Sequence, residues 1–140
     1  MVGLAERIFS DFGDYRLIID QWLEAPRVSS LLVEDVHGSR LGFALIAEHR
    51  RIGFWRPVHA ELVAIALEHR VHRRGLGSAL LGAAEDAARG FGAREMRLHT
   101  ARQNRVARAF FASAGYHEHD GRAIFYPNGQ PAIELRRALS

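Results

Sequence analysis

Residues 61–100 constrain the fold most. "ELVAIALEH" (61–69) is apolar almost without interruption, as in a strand buried on both faces. "HRRGLGSALL" (72–81) follows with three basic side chains, two glycines and a serine, and opens the alanine-rich run "LGSALLGAAEDAARG" (76–90). In that run Leu76, Leu80, Ala83, Ala84 and Ala87 fall on one helical face, with Gly90 or Gly92 to close it. "AREMRLHT" (93–100) is a second strand. Strand, helix and strand in that order require a crossover between parallel neighbours, right-handed by the general rule. The chain is therefore of the α/β class.

The flanks extend this unit into a mixed sheet. From Leu4 to Glu24, Leu4, Ile8, Phe9, Leu17, Ile18 and Leu23 recur at helical spacing, which predicts two helices broken at Gly13-Asp14 and ended by Pro26. "SSLLVEDV", "HGSR" and "LGFALIAEH" then read as strand, tight turn and returning strand. Downstream, "NRVARAFFASAG" predicts a helix with Ala107, Phe110 and Ala114 on one face and Gly115 as its stop. "YHEHDGRAIFY" and "PAIELRRAL" predict closing strands. No repeat or linker interrupts residues 1–140, so a single domain is expected.

Composition removes several chemistries. The sequence has no Cys, so disulfides, thiolate nucleophiles, thiolate metal ligands and a Cys-based acyl-enzyme are all closed. All 19 basic residues are Arg, which raises the pI to about 10.1 although the net charge is only +3. A charge that small and that dispersed does not call for nucleic acid. No apolar run reaches the roughly 18 residues a bilayer span needs. The first residues carry acids and lack a cleavage pattern, so no membrane partner and a cytoplasmic location are expected.

The glycine loop is the candidate binding element. A helix N-terminus exposes unpaired N–H groups and partial positive charge. Gly75 and Gly77 let that backbone approach a ligand, Ser78 adds a hydroxyl, and Arg73 and Arg74 add charge. A Walker A loop would need Lys-Ser/Thr after its last Gly, and a Rossmann fingerprint would need a small residue at Leu80. By itself the stretch reads equally as a pyrophosphate cradle or as an ordinary strand-to-helix turn with surface arginines.

About thirty residues on, "NRVARAFFASAGY" supplies a second pattern. "HRRGLGSALL" resembles the acyl-CoA loop of the GNAT superfamily of acetyl-CoA-dependent N-acetyltransferases, and "NRVARAFFASAGY" resembles its next signature, Asn-x-x-Ala-x-x-aromatic/Leu-Tyr-x-x-x-Gly-Phe. The resemblance covers roughly residues 30–137. The closing "FYPNGQPAIEL" is similar to the tail of the branch that acetylates protein N-termini, of the ribosomal-protein alanine type.

The resemblance implies a GNAT fold, with a mixed central sheet that splays at the acyl-CoA cleft and is flanked by helices. Acetyl-CoA would lie between the strands holding Ile65-Ala66-Leu67 and Arg97-Leu98-His99, with the backbone of Ile65 and Leu67 pairing to the pantetheine arm. His72, Arg73, Arg74, Gly75, Leu76, Gly77 and Ser78 would hold the pyrophosphate. Asn104 would bond the pantetheine, and Phe110 and Phe111 would line the cofactor wall. Two residues depart from the pattern: His72 replaces the leading Arg/Gln, and Phe111 replaces the Tyr that protonates the departing CoA thiolate. Tyr126, Tyr116 or water would then supply that proton.

Direct attack on a thioester needs a neutral amine, so a base or a water chain must take its proton. Glu61 opens the central strand and would share a strand face with Val63, Ile65 and Leu67, leading from the cleft mouth to the acyl group. His99 lies five residues before Asn104, where the N-terminal acetyltransferase branch carries a Glu base. Glu61, His99 and water alone all stay open as the base. His117 and His119 share a strand face but lack a third ligand, so no metal is expected. Arg102, Arg105 and Arg108 read as a solvated helix face, and Trp55 as a possible border of the acceptor site.

The reading is an N-acetyltransferase that moves an acetyl group to a primary amine in a ternary complex. The acceptor would be a peptide N-terminus or a small-molecule amine, with the protein a monomer or homodimer. Two rivals stand beside it: a non-catalytic acyl-CoA-binding module, prompted by Phe111, and an arginine-rich nucleic-acid binder.

Overall fold

The computed structural model describes residues 4–9, 15–21, 28–35, 37–49, 59–67, 75–125 and 127–139; residues 4–9, 15–21 and 120–125 are described by their backbone alone. Among the described residues, eight strands and two helices follow one another as β1 (Leu4–Phe9), β2 (Tyr15–Gln21), β3 (Val28–Asp35), β4 (Arg40–His49), β5 (His59–Leu67), α1 (Leu76–Gly90), β6 (Glu95–Ala101), α2 (Arg105–Ser113), β7 (His117–Phe125) and β8 (Pro131–Ala138). They build one mixed sheet in the order β1-β2-β3-β4-β5-β6-β8-β7. Its one parallel pair is β5 with β6, joined by α1 as the crossover. The α/β class and the mixed sheet expected from the sequence are both present.

Where two helices are expected in residues 4–24, the described segments Leu4–Phe9 and Tyr15–Gln21 are instead strands, while Gly13-Asp14, Leu23 and Pro26 lie outside the described residues. β1 and β2 form an antiparallel pair from Leu4↔Asp20 to Phe9↔Tyr15, and β2 pairs in turn with β3 from Tyr15↔Asp35 to Gln21↔Ser29. The physical reason is length and partner. Runs of six and seven residues are too short for periodicity to separate helix from strand. The β-branched pair Ile18-Ile19 suits a pleated surface. The β3 edge also supplies a ladder for the backbone groups of β2.

The β3–β4 hairpin turns as the sequence predicts. Gly38 takes the left-handed conformation at φ 82°, and Asp35 Oδ1 accepts the N–H groups of both His37 and Ser39.

The core lies between one sheet face and α1. Leu31, Val33, Ala44, Ile46, Leu62, Leu98 and Leu135 from five strands meet Leu76, Leu80, Leu81, Ala84 and Ala88, all at most 4% exposed. Alanines on the packed side of α1 let the helix lie close to the sheet. Each fully buried Leu contributes about 1.5–3 kcal/mol, so packing rather than propensity fixes this helix. The buried stripe ends on Ala88, with Ala87 only half-buried. Gly92, at φ 87°, closes the turn beyond α1, where the Ala93 N–H bonds back to Ala88 O. α2 ends as expected at Gly115, φ 93°, and buries Phe111 against Phe110 and Tyr116.

Glu85 of α1 is 4% exposed and accepts from the Tyr116 hydroxyl at 2.8 Å and from Arg137 of β8 at 2.7 Å. Burial, then the hydrogen bond to Glu85, push the Tyr116 phenol far above its ordinary value, and the same carboxylate holds the Arg137 guanidinium above its own. Tyr116 is therefore a core residue that ties α1 to the end of α2. Its proton is committed to Glu85.

Candidate active site

Two irregularities in β5 create the site. The first is where its parallel partner leaves. β5 and β6 pair at four positions, from His59↔Glu95 to Leu62↔Leu98, yet β5 runs on to Leu67 and β6 to Ala101. Past Leu62 and Leu98 the strands diverge, and β6 instead keeps β8 as its partner through Ala101↔Ala132. An edge of β5 is thereby opened inside the sheet, with backbone groups facing the gap.

The second is a bulge one residue further on. Leu45 pairs with Ala64 and Ile46 with Leu62, so Val63 is the extra residue and stands 55% exposed. An extra residue reverses which face the following side chains take. The shared face expected for Glu61, Val63, Ile65 and Leu67 is therefore not formed. Ile65 and Leu67 join Leu62 on the face packed by the core, whereas Glu61 shares the other face with Ala64 and the exposed Ala66.

On the helix side of the gap, three predicted residues converge. A Cβ built on Gly77 would stand 3.4 Å from Phe110 Cε1 and 3.6 Å from Leu67 Cδ1. The start of α1, the end of β5 and the middle of α2 thus meet around one glycine. Gly75 caps α1 at φ 76°, with no side-chain cap, and its carbonyl takes the Ala79 N–H. Among the described residues, the N–H groups of Leu76, Gly77 and Ser78 have no backbone acceptor and point out of the helix start. No acid lies in this first turn to neutralise them. Gly75 and Ser78 are exposed, so the donors can meet an anion. His72, Arg73 and Arg74 lie outside the described residues, as do Trp55 and Tyr126.

Asn104 caps α2, its Oδ1 accepting the Ala107 N–H at 3.0 Å. That use was missed in the sequence, although Asn before a helix signals it. Its Nδ2 amide remains as a donor on an exposed residue. Phe111 lies in the core at 5% exposure. Arg108 is not simply solvated. It makes a two-pronged pair with Glu118 of β7 at 2.8 Å per contact and donates to Arg102 O. This pairing holds the Glu118 carboxyl below its usual range.

On the opposite face, both candidate bases belong to one cluster. Glu61 Oε2 lies 3.0 Å from His49 Nε2, and Oε1 lies 3.7 Å from His99 Nδ1. His99 Nε2 is 3.8 Å from Glu134 Oε1, and Glu134 is also held by Arg136. Glu61 and His99 sit on either side of the Leu62↔Leu98 rung, one residue before and one after it. His49 carried no signal in the sequence, because only the β4–β5 register brings it beside Glu61. Among the described residues no His/Asp/Glu group is arranged to hold a metal, and no helix is long and apolar enough to cross a membrane.

Comparison with known proteins gives this arrangement its class. The sequence matches the Acetyltransferase (GNAT) family over residues 4–116. Among solved structures, Ard1 from Thermoplasma volcanium is similar at 22% identity and TM-score 0.69, over 86% of this chain and 74% of that one. Naa20 from Chaetomium thermophilum, in complex with a bisubstrate analogue, is similar at 22% identity and TM-score 0.68, over 79% of this chain and 65% of that one. The ribosomal-protein-S18-alanine N-acetyltransferase from Escherichia coli is similar at 25% identity and TM-score 0.63, over 81% and 70%. No curated protein matches in sequence. The chain belongs to the GNAT family, and it is an N-acetyltransferase that works by acyl-CoA-dependent acetyl transfer.

Proposed function

We propose that the chain transfers the acetyl group of acetyl-CoA directly to a primary amine while both are bound, and that the amine is the N-terminus of a peptide. The observation that carries this reading is the loss of β5–β6 pairing after Leu62↔Leu98, in strands that both continue. An opened strand edge accepts an extended amide-bearing chain by main-chain hydrogen bonds. Pantetheine has that chemistry, and Ile65, Ala66 and Leu67 lie along the edge.

The helix start supplies the second half of the donor site. The N–H groups of Leu76, Gly77 and Ser78 bind the pyrophosphate, with His72, Arg73 and Arg74 adding charge from the preceding residues. At Gly77 the loop backbone lies against Phe110 and Leu67, so the helix start and the end of the β5 edge stand side by side. Asn104 bonds the pantetheine through Nδ2, its oxygen being used by the helix. When bound, acetyl-CoA supplies the activated acyl group. The chain supplies orientation and the removal of one proton.

That proton is taken at the Glu61–His99 pair. The two groups flank the last paired rung on the face opposite the helices, where an amine reaching the acyl carbon arrives. With Glu61 as the base, its Oε1 accepts the ammonium proton, either directly or through the neighbouring imidazole. Tyr126 or water returns a proton to the departing thiolate, since Tyr116 is committed to Glu85.

The similarity to the ribosomal-protein-S18-alanine N-acetyltransferase and the closing "FYPNGQPAIEL" support a peptide acceptor. The test is thiol release from acetyl-CoA across N-terminal peptides and small amines, for wild type, Glu61→Gln and His99→Ala. Turnover with peptides that falls in the Glu61 or His99 variant supports the reading. Turnover with small amines only would reassign the acceptor.

A further inference from the structure

Glu61 presents its two carboxylate oxygens to two different imidazoles. Oε2 is in hydrogen-bond contact with His49 at 3.0 Å, and Oε1 faces His99 at 3.7 Å, beyond hydrogen-bond length. The first contact points toward β4, away from the opened strands. The second points along β6 to where pairing with β5 has ended.

Among the described residues, two arginines on the neighbouring strands are engaged elsewhere. Arg97 stands directly across from Glu61 in the β5–β6 register, but its guanidinium is bonded to Glu95. Arg136, on β8, is bonded to Glu134. The His49 ring is itself fixed, stacked on His59 with centroids 5.0 Å apart and planes within 9°. Stacking restricts the tilt of the ring while its Nε2 meets Glu61.

We propose that His49 is a positioning residue for acetyl transfer: by donating to Oε2 it orients the Glu61 carboxylate so that Oε1 faces His99 and the acceptor amine. The inference rests on Glu61 serving as the base. It adds the third group that general bases commonly need, one that holds the base without touching substrate. Nothing in the amino-acid pattern near Glu61 signals this, because His49 lies twelve residues away across a bulged register.

The contact has a direct readout that does not depend on turnover. In proton–nitrogen spectra of the histidine rings, the His49 Nε2–H of wild type is shifted downfield by its carboxylate acceptor, and that shift disappears in Glu61→Ala. An unchanged His49 Nε2–H signal in the two proteins overturns the proposal. Kinetics supply the second readout. His49→Ala lowers kcat about tenfold or more while leaving KM for acetyl-CoA within about twofold. His49→Gln places an amide N–H near the Nε2 position and recovers most of the loss. His49→Ala at wild-type kcat, or His49→Gln as slow as His49→Ala, also overturns the proposal. If those results come while Glu61→Gln remains slow, the base assignment survives without its positioning residue. A Glu61→Gln enzyme as fast as wild type instead removes the base itself.

Discussion

Leu62 and Leu98 form the last rung between the two parallel strands, and each is almost wholly buried although the strands separate immediately beyond them. The separation is thus anchored at its closed end by core packing and is held open by other partners: β8 for β6, and the Val63 bulge for β5. The proposed donor site depends on this rung staying closed and the next ones staying open.

Gly77 reports on the width of the cleft. Its Cβ position is in ordinary contact distance of Phe110 and Leu67, and its backbone is not left-handed. Gly77→Ala is therefore expected to keep the thermal midpoint, or to raise it slightly through helix propensity, and to bind acetyl-CoA within about threefold of wild type. Gly77→Phe fills the space beside Phe110 and is expected to weaken binding at least about tenfold. Calorimetric titration of the two variants checks this.

Asn104 separates folding from binding. Asn104→Asp keeps an oxygen acceptor for the Ala107 N–H, so stability is retained while the Nδ2 donor is lost. Asn104→Ala loses both, and costs about 1 kcal/mol of stability. Both variants are expected to raise KM for acetyl-CoA, and only the second to lower the denaturation midpoint.

The pH dependence of Glu61→Gln follows from the acceptor. Removing the base hurts most where the amine is protonated, so kcat falls more at low pH than at high pH, where neutral amine is plentiful. A kcat profile from pH 6 to 9 for the two proteins measures it. Full activity of the variant throughout that range would remove Glu61 from the base role.

The buried Glu85–Tyr116–Arg137 group sets an alkaline limit on stability. The Tyr116 phenol has a raised value in the folded state, so the unfolded chain, at about 10, releases that proton first. Its contribution is complete below about pH 10 and is lost as pH rises further. Tyr116→Phe removes the bond to Glu85 but leaves Arg137 in place, and should cost about 1–3 kcal/mol at neutral pH. The difference between variant and wild type should shrink above pH 10, as followed by chemical denaturation.

Much of the architecture was legible in the sequence. The β3–β4 hairpin, the β5–α1–β6 crossover, α2 with its Gly115 stop, and the last two strands rest on patterns whose local and tertiary preferences agree. Residues 4–9 and 15–21 form strands against expectation because Leu4, Ile8, Leu17 and Ile18 suit a helical stripe and a short strand alike, and the edge of β3 decides between them. Near the candidate site, the helix start at Gly75 and Gly77 and the helical face that carries Phe110 were legible from spacing. The face of Glu61 was not, because a single-residue bulge at Val63 leaves no mark in composition yet reverses every side chain after it. The sequence also treats Glu61 and His99 as rival bases, whereas the β5–β6 register places them 3.7 Å apart.

The most direct test of the account is titration of the folded, purified chain with acetyl-CoA in a calorimeter. A saturable one-to-one heat, lost in Gly77→Phe and kept in Gly77→Ala, is the predicted result. Folded protein that gives no heat at millimolar acetyl-CoA would contradict it.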